Sequence, residues 1–331
     1  MLTPLVVAPM AGGPTTAALV LAAARAGATG FLAAGYKTPE AVEAELRAVA
    51  GQPHGLNIFV PVPAPADPAP LEGYRQLLRV EADRYEVELP TLRLTDDDHY
   101  AAKIELAVTY RVPLVSFTFG VPDRAVVTAL RDAGTAVLIT VTSAEEARSA
   151  LAARPQALIA QAGSAGGHAA TTSPDRYRGT TTAVEVLAAV RAVSDVPVVA
   201  AGGTATAADV HALLGVGAAA VQCGTAFLLA DEAGTRPAQR AAMLAGADGE
   251  HRETVVTRAF TGQPARALRN RFTDAYSAAA PIGYPAIHHL TAPIRAAAAA
   301  RGDASALNLW AGAGFAAARS APVADLIDAL K

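Results

Sequence analysis

Eight short apolar runs, rich in β-branched residues, punctuate the first 225 residues and constrain the fold more than any other feature of the chain. They are 5–10 (LVVAPM), 30–34 (GFLAA), 56–61 (LNIFVP), 113–120 (PLVSFTFG), 136–141 (AVLITV), 157–162 (ALIAQA), 197–203 (PVVAAGG) and 219–225 (AAVQCGT). Stretches of helical length and composition separate most of them, at 15–26, 39–50, 123–133, 143–153, 182–193 and 205–214. Apolar runs of this kind suit strands buried on both faces, and strand–helix alternation makes neighbouring strands parallel. Eight such units are the number that closes a barrel, so the expected class is α/β with a (β/α)8 TIM barrel. Ser143 followed by Glu146 has the spacing of a capping box.

Two segments depart from the alternation. Between the third and fourth runs, PVPAPADPAP (61–70) is extended, and an excursion follows that is expected to be helical around 70–82 and 96–110. After Leu229 the strand pattern stops and the sequence looks helical. The expected organisation is a barrel over 1–229, a smaller helical domain inserted after the eighth strand over 230–302, and a tail over 303–331 that returns to the barrel as a final helix.

Composition narrows the function. With 27 Lys and Arg against 30 Asp and Glu the net charge is −3, and the basic residues are scattered outside 258–271, so no nucleic-acid partner is expected. Cys223 is the only cysteine, which excludes an intramolecular disulfide and a thiolate metal site. The seven histidines include no HxxxH or HExxH spacing, so no metal is expected. No apolar run reaches the ~18 residues of a membrane span, and MLTPLVVAPMAGG has no basic lead, so neither a span nor a signal peptide is expected. The expected compartment is the cytoplasm. Oligomeric state stays open, a homodimer included.

In such barrels the reacting groups sit at the C-terminal ends of the strands. Those ends carry Pro9, Met10 and Ala11; Ala34 and Gly35; Asn57; 116–119; Thr140 and Thr142; 161–168; 201–203; and 222–225. AAGGTAT (200–206) turns on Gly202 and Gly203 into a helix start, and QCGT sets Gln222, Cys223, Gly224 and Thr225 at the next strand end. Glycines admit close backbone approach and free helix N–H groups favour an anion, so the pair is expected to hold a phosphate. A phosphorylated substrate and FMN both satisfy that. Charged side chains are sparse at the strand ends, whereas a substrate-phosphate enzyme uses acids and bases there. Met10, Ala11, Asn57 and Gln161 offer backbone, apolar and amide contacts to a flat ring, so a cofactor is expected to carry the chemistry.

In order and interval, APMAGG, LNIFVP, VSFTFG, QAGSAGGH, PVVAAGG and QCGTAFL resemble the nitronate monooxygenases. FTGQPARALRN (260–270) and NLWAGAG (308–314) extend the likeness over essentially the whole chain. The resemblance implies an FMN enzyme whose smaller helical domain closes over the flavin. It implies flavin contacts at Met10, Ala11, Asn57, Gln161, Gly166, Gly202, Gly203, Gln222, Cys223, Gly224 and Thr225, and a catalytic histidine at His168. The implied reaction is oxidation of alkyl nitronates, such as propionate 3-nitronate, with O2. His168 is then the general base that takes the α-proton of a neutral nitroalkane, and the partners are a small molecule and O2. Flavin enoyl reductases and NADH:quinone reductases share much of the motif set, so NAD(P)H-dependent FMN reduction with a quinone or enoyl-thioester acceptor is the alternative. Ser164 stands where the family often has Glu, and Ala162 where it has Gly, which bears on substrate more than on FMN.

Other residues admit two readings. Imidazole moves its proton most easily near neutral pH, and the two glycines before His168 let backbone pass under a ring; a loop histidine bonded to backbone is the competing reading. Cys223 reads as a small buried apolar residue. Ser116, Thr118 and Thr140 either meet a ligand or satisfy backbone groups. Arg266, Arg269 and Arg271 read as a solvated helix face or an interface. Tyr284, His288 and His289 are candidates for the roof of the site.

Overall fold

Each of the eight apolar runs forms a strand in the computed structural model, which describes residues 2–247 and 253–331. The strands are β1 (Leu5–Val7), β2 (Thr29–Ala33), β3 (His54–Phe59), β4 (Leu114–Thr118), β5 (Ala136–Val141) and β6 (Ala157–Gln161), then a two-residue β7 (Gly167–His168), β8 (Val198–Ala201) and β9 (Ala220–Cys223). All but β7 pair in parallel and close into a barrel, with Val6 of β1 opposite Gln222 of β9. The runs are apolar throughout because both faces are covered. Val6, Phe31, Leu138, Ile159 and Val199 pack together in one cluster. Leu32, Leu56, Ile58, Val115 and Val221 join the helices in another. Gly55 makes room for Phe31, since a Cβ there would lie 2.3 Å from its ring.

Register delivers the strand-end residues to one rim. Asn57 sits opposite Ser116, Gln161 opposite Ala201, and Ala201 opposite Gln222. The expected helices follow the strands, at Ala17–Arg25, Pro39–Ala48, Arg124–Asp132, Ala144–Leu151, Ala183–Arg191 and Ala207–Gly215. Side chains of Thr16, Thr38, Ser143, Thr182 and Thr206 cap five of them. The box expected at Ser143 is only half formed. Ser143 Oγ accepts from Glu146 N at 3.2 Å, but the buried Glu146 carboxylate takes Thr142 N (2.6 Å), Thr171 Oγ1 (2.6 Å) and Thr172 N (2.9 Å) instead of returning to Ser143.

The excursion between β3 and β4 is helical at Ala69–Leu77, Arg79–Tyr85 and Tyr100–Thr109. The first two helices join a second core with Ala286–Ala300, in which Leu71, Tyr74, Phe260, Phe272, Ile287 and Leu290 are buried. Arg271 clamps Glu81 of the excursion, with Nη2 2.7 Å from Oε2. After β9 come helices Pro237–Ala247, Arg271–Tyr276 and Ala286–Ala300. The segment also contains an antiparallel pair that periodicity alone did not show, β10 (Thr254–Thr257) and β11 (Ala265–Leu268). β11 pairs with β7 and sets Ala265 opposite His168. The chain then returns to the barrel, where Val323–Asp328 packs on Ala17–Arg25 and Ala321 bridges Ala230. Among the described residues no helix is long and apolar enough to cross a membrane.

Candidate functional site

A cavity occupies the C-terminal mouth of the barrel. Met10, Ala11, Asn57, Gln161, Gly166, His168, Gly202, Gly203, Gln222, Cys223, Gly224 and Thr225 all line it, together with Ser116, Thr118 and Thr140. The structure therefore brings every residue named as a flavin contact or catalytic histidine to one place, whereas Ala34, Gly35 and Thr142 of the strand ends do not line the cavity. It adds Tyr36, Thr204, Arg236, Asn308, Trp310, Gly312 and Gly314, which strand-end reasoning did not reach. Tyr36 lies one residue past the end assigned to the second strand. The run 308–314 is glycine-rich, but no strand precedes it to aim it at the mouth.

One side of the cavity is a cradle of glycines and open donors that could receive an anion, though not by the expected route. The start of helix Ala207–Gly215 is closed by its own side chains: Asp209 Oδ2 accepts from Ala205 N (3.0 Å) and Thr206 N (2.9 Å), and Thr206 Oγ1 accepts from Asp209 N (3.2 Å). A carboxylate sits where an anion was expected. Open donors lie just upstream and at the neighbouring strand end, where the N–H groups of Gly203, Gly224 and Thr225 have no hydrogen-bond partner among the described residues. Three close approaches shape this cradle. A Cβ on Gly203 would meet Ser164 Oγ at 2.6 Å, one on Gly312 would meet Gly166 N at 3.0 Å, and one on Gly314 would meet Ala205 Cβ at 2.9 Å. Thr204 Oγ1, Gln222 Oε1 and Asn308 Oδ1 are buried at its edges without partners among the described residues. Orphaned polar atoms of this kind mark a site built for a polar ligand. The donor set and glycine cradle fit the phosphate and ribityl portion of FMN; Met10, Ala11 and Asn57 Oδ1 are left for its ring, because Asn57 Nδ2 donates to Ser116 Oγ (2.9 Å) and Thr118 Oγ1 (3.0 Å) and the expected free amide of Gln161 is spent on the backbone of His168 and Ala170.

His168 lines the same cavity, and its backbone is fixed from several directions. Gln161 Nε2 donates to His168 O at 3.1 Å while Gln161 Oε1 accepts from Ala170 N at 2.7 Å. Gln263 Nε2 donates to Ala169 O (3.1 Å) and Thr171 O (3.0 Å), and Glu146 holds Thr171 and Thr172. The imidazole lies among Phe119 (5.5 Å between ring centroids), Trp310 (5.3 Å) and Tyr284 (5.9 Å). Its Nε2 is 2.9 Å from Thr261 Oγ1; Nδ1 has no partner among the described residues. Burial, reinforced by the positive charge of Arg295, holds the ring down to about 3, so it is neutral at neutral pH.

Above the histidine, Tyr36 stacks on His288 at 4.3 Å, and Tyr284 packs on Phe119 at 5.0 Å. His289 turns away to Asp96 at 2.8 Å, as adjacent helical residues must. Burial pushes the phenols of Tyr36 and Tyr284 far above their usual range, so both stay protonated. Tyr36 and Phe119 hold φ of 68° and 74°, and such non-glycine left-handed backbone concentrates at functional sites. Burial raises the Cys223 thiol to about 12, which removes it as a nucleophile. The basic cluster is not a solvated helix face. Arg266 lies on β11 and donates to Gly163 O (2.8 Å) and Gly179 O (2.6 Å), tying down the turn before the histidine. Arg271 is held by Glu81, and only Arg269 pairs at the surface, with Glu253 and Asp274.

Comparison with known proteins agrees with this geometry. The whole chain, residues 1–331, matches the family described as nitronate monooxygenase. A probable nitronate monooxygenase of Staphylococcus aureus (strain MRSA252) is 31% identical over 316 residues, covering 93% of this chain and 88% of that protein. One from Staphylococcus saprophyticus is 33% identical over 318 residues, with the same coverage of 93% and 88%. Among solved structures, nitroalkane oxidase from Streptomyces ansochromogenes superposes with a TM-score of 0.93 at 44% identity, over 99% of this chain and 94% of that one. FabK from Thermotoga maritima shares the fold at a TM-score of 0.71 and 24% identity, over 99% and 91% of the two chains.

Proposed function

The chain belongs to the nitronate monooxygenase family, and from that premise we propose that it oxidises alkyl nitronates and the parent nitroalkanes with O2, using FMN. The observation that carries this reading is one cavity lined both by a rigidly held His168 and by the glycine cradle. FMN, when bound, supplies the electron acceptor for the nitro compound and the route to O2. Gly202, Gly203, Thr204, Gly224 and Thr225 would hold its phosphate, with Gly166, Gln222 and Cys223 beside them. Met10, Ala11 and Asn57 would meet its ring, and Gln161, expected there as well, would hold the segment of His168 beside it.

The protein's own share is orientation and proton transfer. Thr261 can direct its hydroxyl hydrogen to Gln263 O, 3.3 Å away, and so accept from Nε2–H of His168. That leaves the lone pair on Nδ1 to take the α-proton of a neutral nitroalkane as general base; a ring held down to about 3 is free of a proton but weakly basic, so the transfer requires the bound substrate to raise that value. A nitronate arrives already deprotonated and bypasses the step. The rings of Phe119, Tyr284 and Trp310 limit water around the reacting carbon. In this reading 1–229 supplies the flavin barrel, 230–302 the cover and 303–331 the returning tail; the protein works in the cytoplasm on a small molecule and O2.

The test is spectroscopic. The purified protein is expected to carry flavin that bleaches anaerobically with propionate 3-nitronate and stays oxidised with NADH or NADPH. Absence of FMN sinks the reading. Fast bleaching by NADH with none by nitronate replaces it with an NAD(P)H-linked reductase.

A further inference from the structure

Among the described residues Arg295 is a buried charge without a counter-ion. It projects from helix Ala286–Ala300 and is 7% exposed. Its Nε donates to Thr291 Oγ1 at 3.1 Å and its Nη2 to the carbonyl oxygen of His288 at 2.8 Å; His288 Nδ1 lies 3.5 Å from Nη2. All these partners are neutral, and Nη1 makes no hydrogen bond among the described residues. Arg266 also has only neutral partners, but its Nε, Nη1 and Nη2 are all bonded to oxygen, whereas Arg295 leaves Nη1 open. No described carboxylate comes within 4.0 Å of Arg295. Asp96 is engaged by His289, and Asp98 by Lys103 and Tyr36 N. The groups facing Arg295 are His168 and His288, both held neutral by burial, the protonated Tyr36, and Arg236, which repels it. The guanidinium still keeps its proton at neutral pH, with its value held at about 10. A buried cation left without an anion is costly unless a ligand supplies one.

The surroundings say where that ligand would lie. Arg295 lines a compartment shared with His168, Tyr36, Trp310 and the exposed Arg236. Tyr36, His168, Arg236 and Trp310 line the barrel-mouth cavity as well, so the two spaces adjoin. A planar guanidinium fork matches a planar pair of oxygen atoms such as a nitronate presents.

We propose that this compartment is an anion subsite in which Arg295 engages the two oxygens of a nitronate, making Arg295 the residue that sets preference for the anionic nitronate over the neutral nitroalkane. Arg236, at the rim, draws anions toward it. The inference rests on the reading that nitro compounds are the substrates.

Nitrate, a planar monoanion with the oxygen geometry of a nitro group, is the probe. Calorimetric titration of the flavin-loaded protein with sodium nitrate should show binding that weakens about ten- to a hundredfold in Arg295→Gln, the range for loss of a charge-assisted contact. Arg295→Lys should retain part of it. In steady state, the KM for ethylnitronate should rise by about tenfold or more in Arg295→Gln while the KM for nitroethane moves by about twofold or less. Arg236→Gln should flatten the salt dependence of kcat/KM for the nitronate. Equal nitrate affinity in wild type and Arg295→Gln, or KM values that rise together for both substrates, overturns the proposal. If Arg295→Gln fails to fold, the same comparison in Arg295→Lys decides. Nitrate binding does not depend on turnover, so an Arg295-dependent titration in a protein that leaves nitronate untouched keeps the subsite and discards the proposed reaction.

Discussion

The protonation of His168 can be tested by pH alone. A free imidazole titrates near 6.5, and this one is held down to about 3. The difference of roughly 3.5 units, at about 1.36 kcal/mol each, gives the neutral ring an advantage of at most about 5 kcal/mol, less because part of the ring faces the cavity. An unperturbed base would lose kcat/KM for a neutral nitroalkane as the pH falls below about 6.5. Here the profile for nitroethane should stay level from about pH 7 to about pH 5 and bend only toward pH 3. Oxygen uptake at constant ionic strength, with residual activity checked at pH 7 after each exposure, measures it. An acid limb centred between about 6 and 7 would refute the desolvation argument. Burial is the larger cause and Arg295 the smaller, so Trp310→Ala, which opens one wall, should move the limb upward further than Arg295→Gln does. The opposite order would mean that the guanidinium field sets the value and the ring cage does not.

Three further outcomes follow from the same geometry. His168→Asn should keep its flavin and its nitronate oxidation while losing about 10²- to 10⁴-fold on nitroethane, and loss of flavin absorbance would make the residue structural instead. Gly203→Ala combines φ of 72° with a Cβ 2.6 Å from Ser164 Oγ, so flavin retained through gel filtration should drop sharply; full retention would remove the turn from the phosphate site. Stability should fall as pH is lowered from about 6.5 toward 3, because His168 and His288 both have folded values below their unfolded ones and the unfolded chain then binds more protons. Thermal melts of His168→Asn should show a shallower fall over that window, and an unchanged slope would count against a neutral buried ring.

The barrel was readable because each strand is covered on both faces, and a continuous apolar run keeps that signal without knowledge of its neighbours. Strand-end reasoning then delivered the cavity lining from Met10 to Thr225. What stayed hidden depends on partners distant in sequence. β7 is two residues long and exists because β11 pairs with it. Arg295 sits in an alanine-rich helix like any surface arginine, and its meaning lies in its burial with no carboxylate beside it among the described residues. Tyr36 was missed by one position because its N–H is held by Asp98 Oδ1, 3.0 Å away, from the far end of the excursion.

Two identical spacings show where local reading stops. Ser143 with Glu146 and Thr206 with Asp209 each put a hydroxyl three residues before a carboxylate at a helix start, and local rules treat them alike. Thr206 and Asp209 close on each other because their surroundings are exposed and offer no competing donor. Glu146 is buried beside Thr142, Thr171 and Thr172, and a buried carboxylate collects as many donors as it can reach. The same motif therefore ends one helix locally, and in the other ties the segment carrying His168 to the barrel. Glu146→Gln separates the two roles: Ser143 still caps its helix, whereas the 168–172 segment loses its charge-assisted bonds. Hydrogen exchange should rise at 169–172 and not across Ala144–Leu151, and a uniform rise over both would mean that Glu146 serves only its own helix.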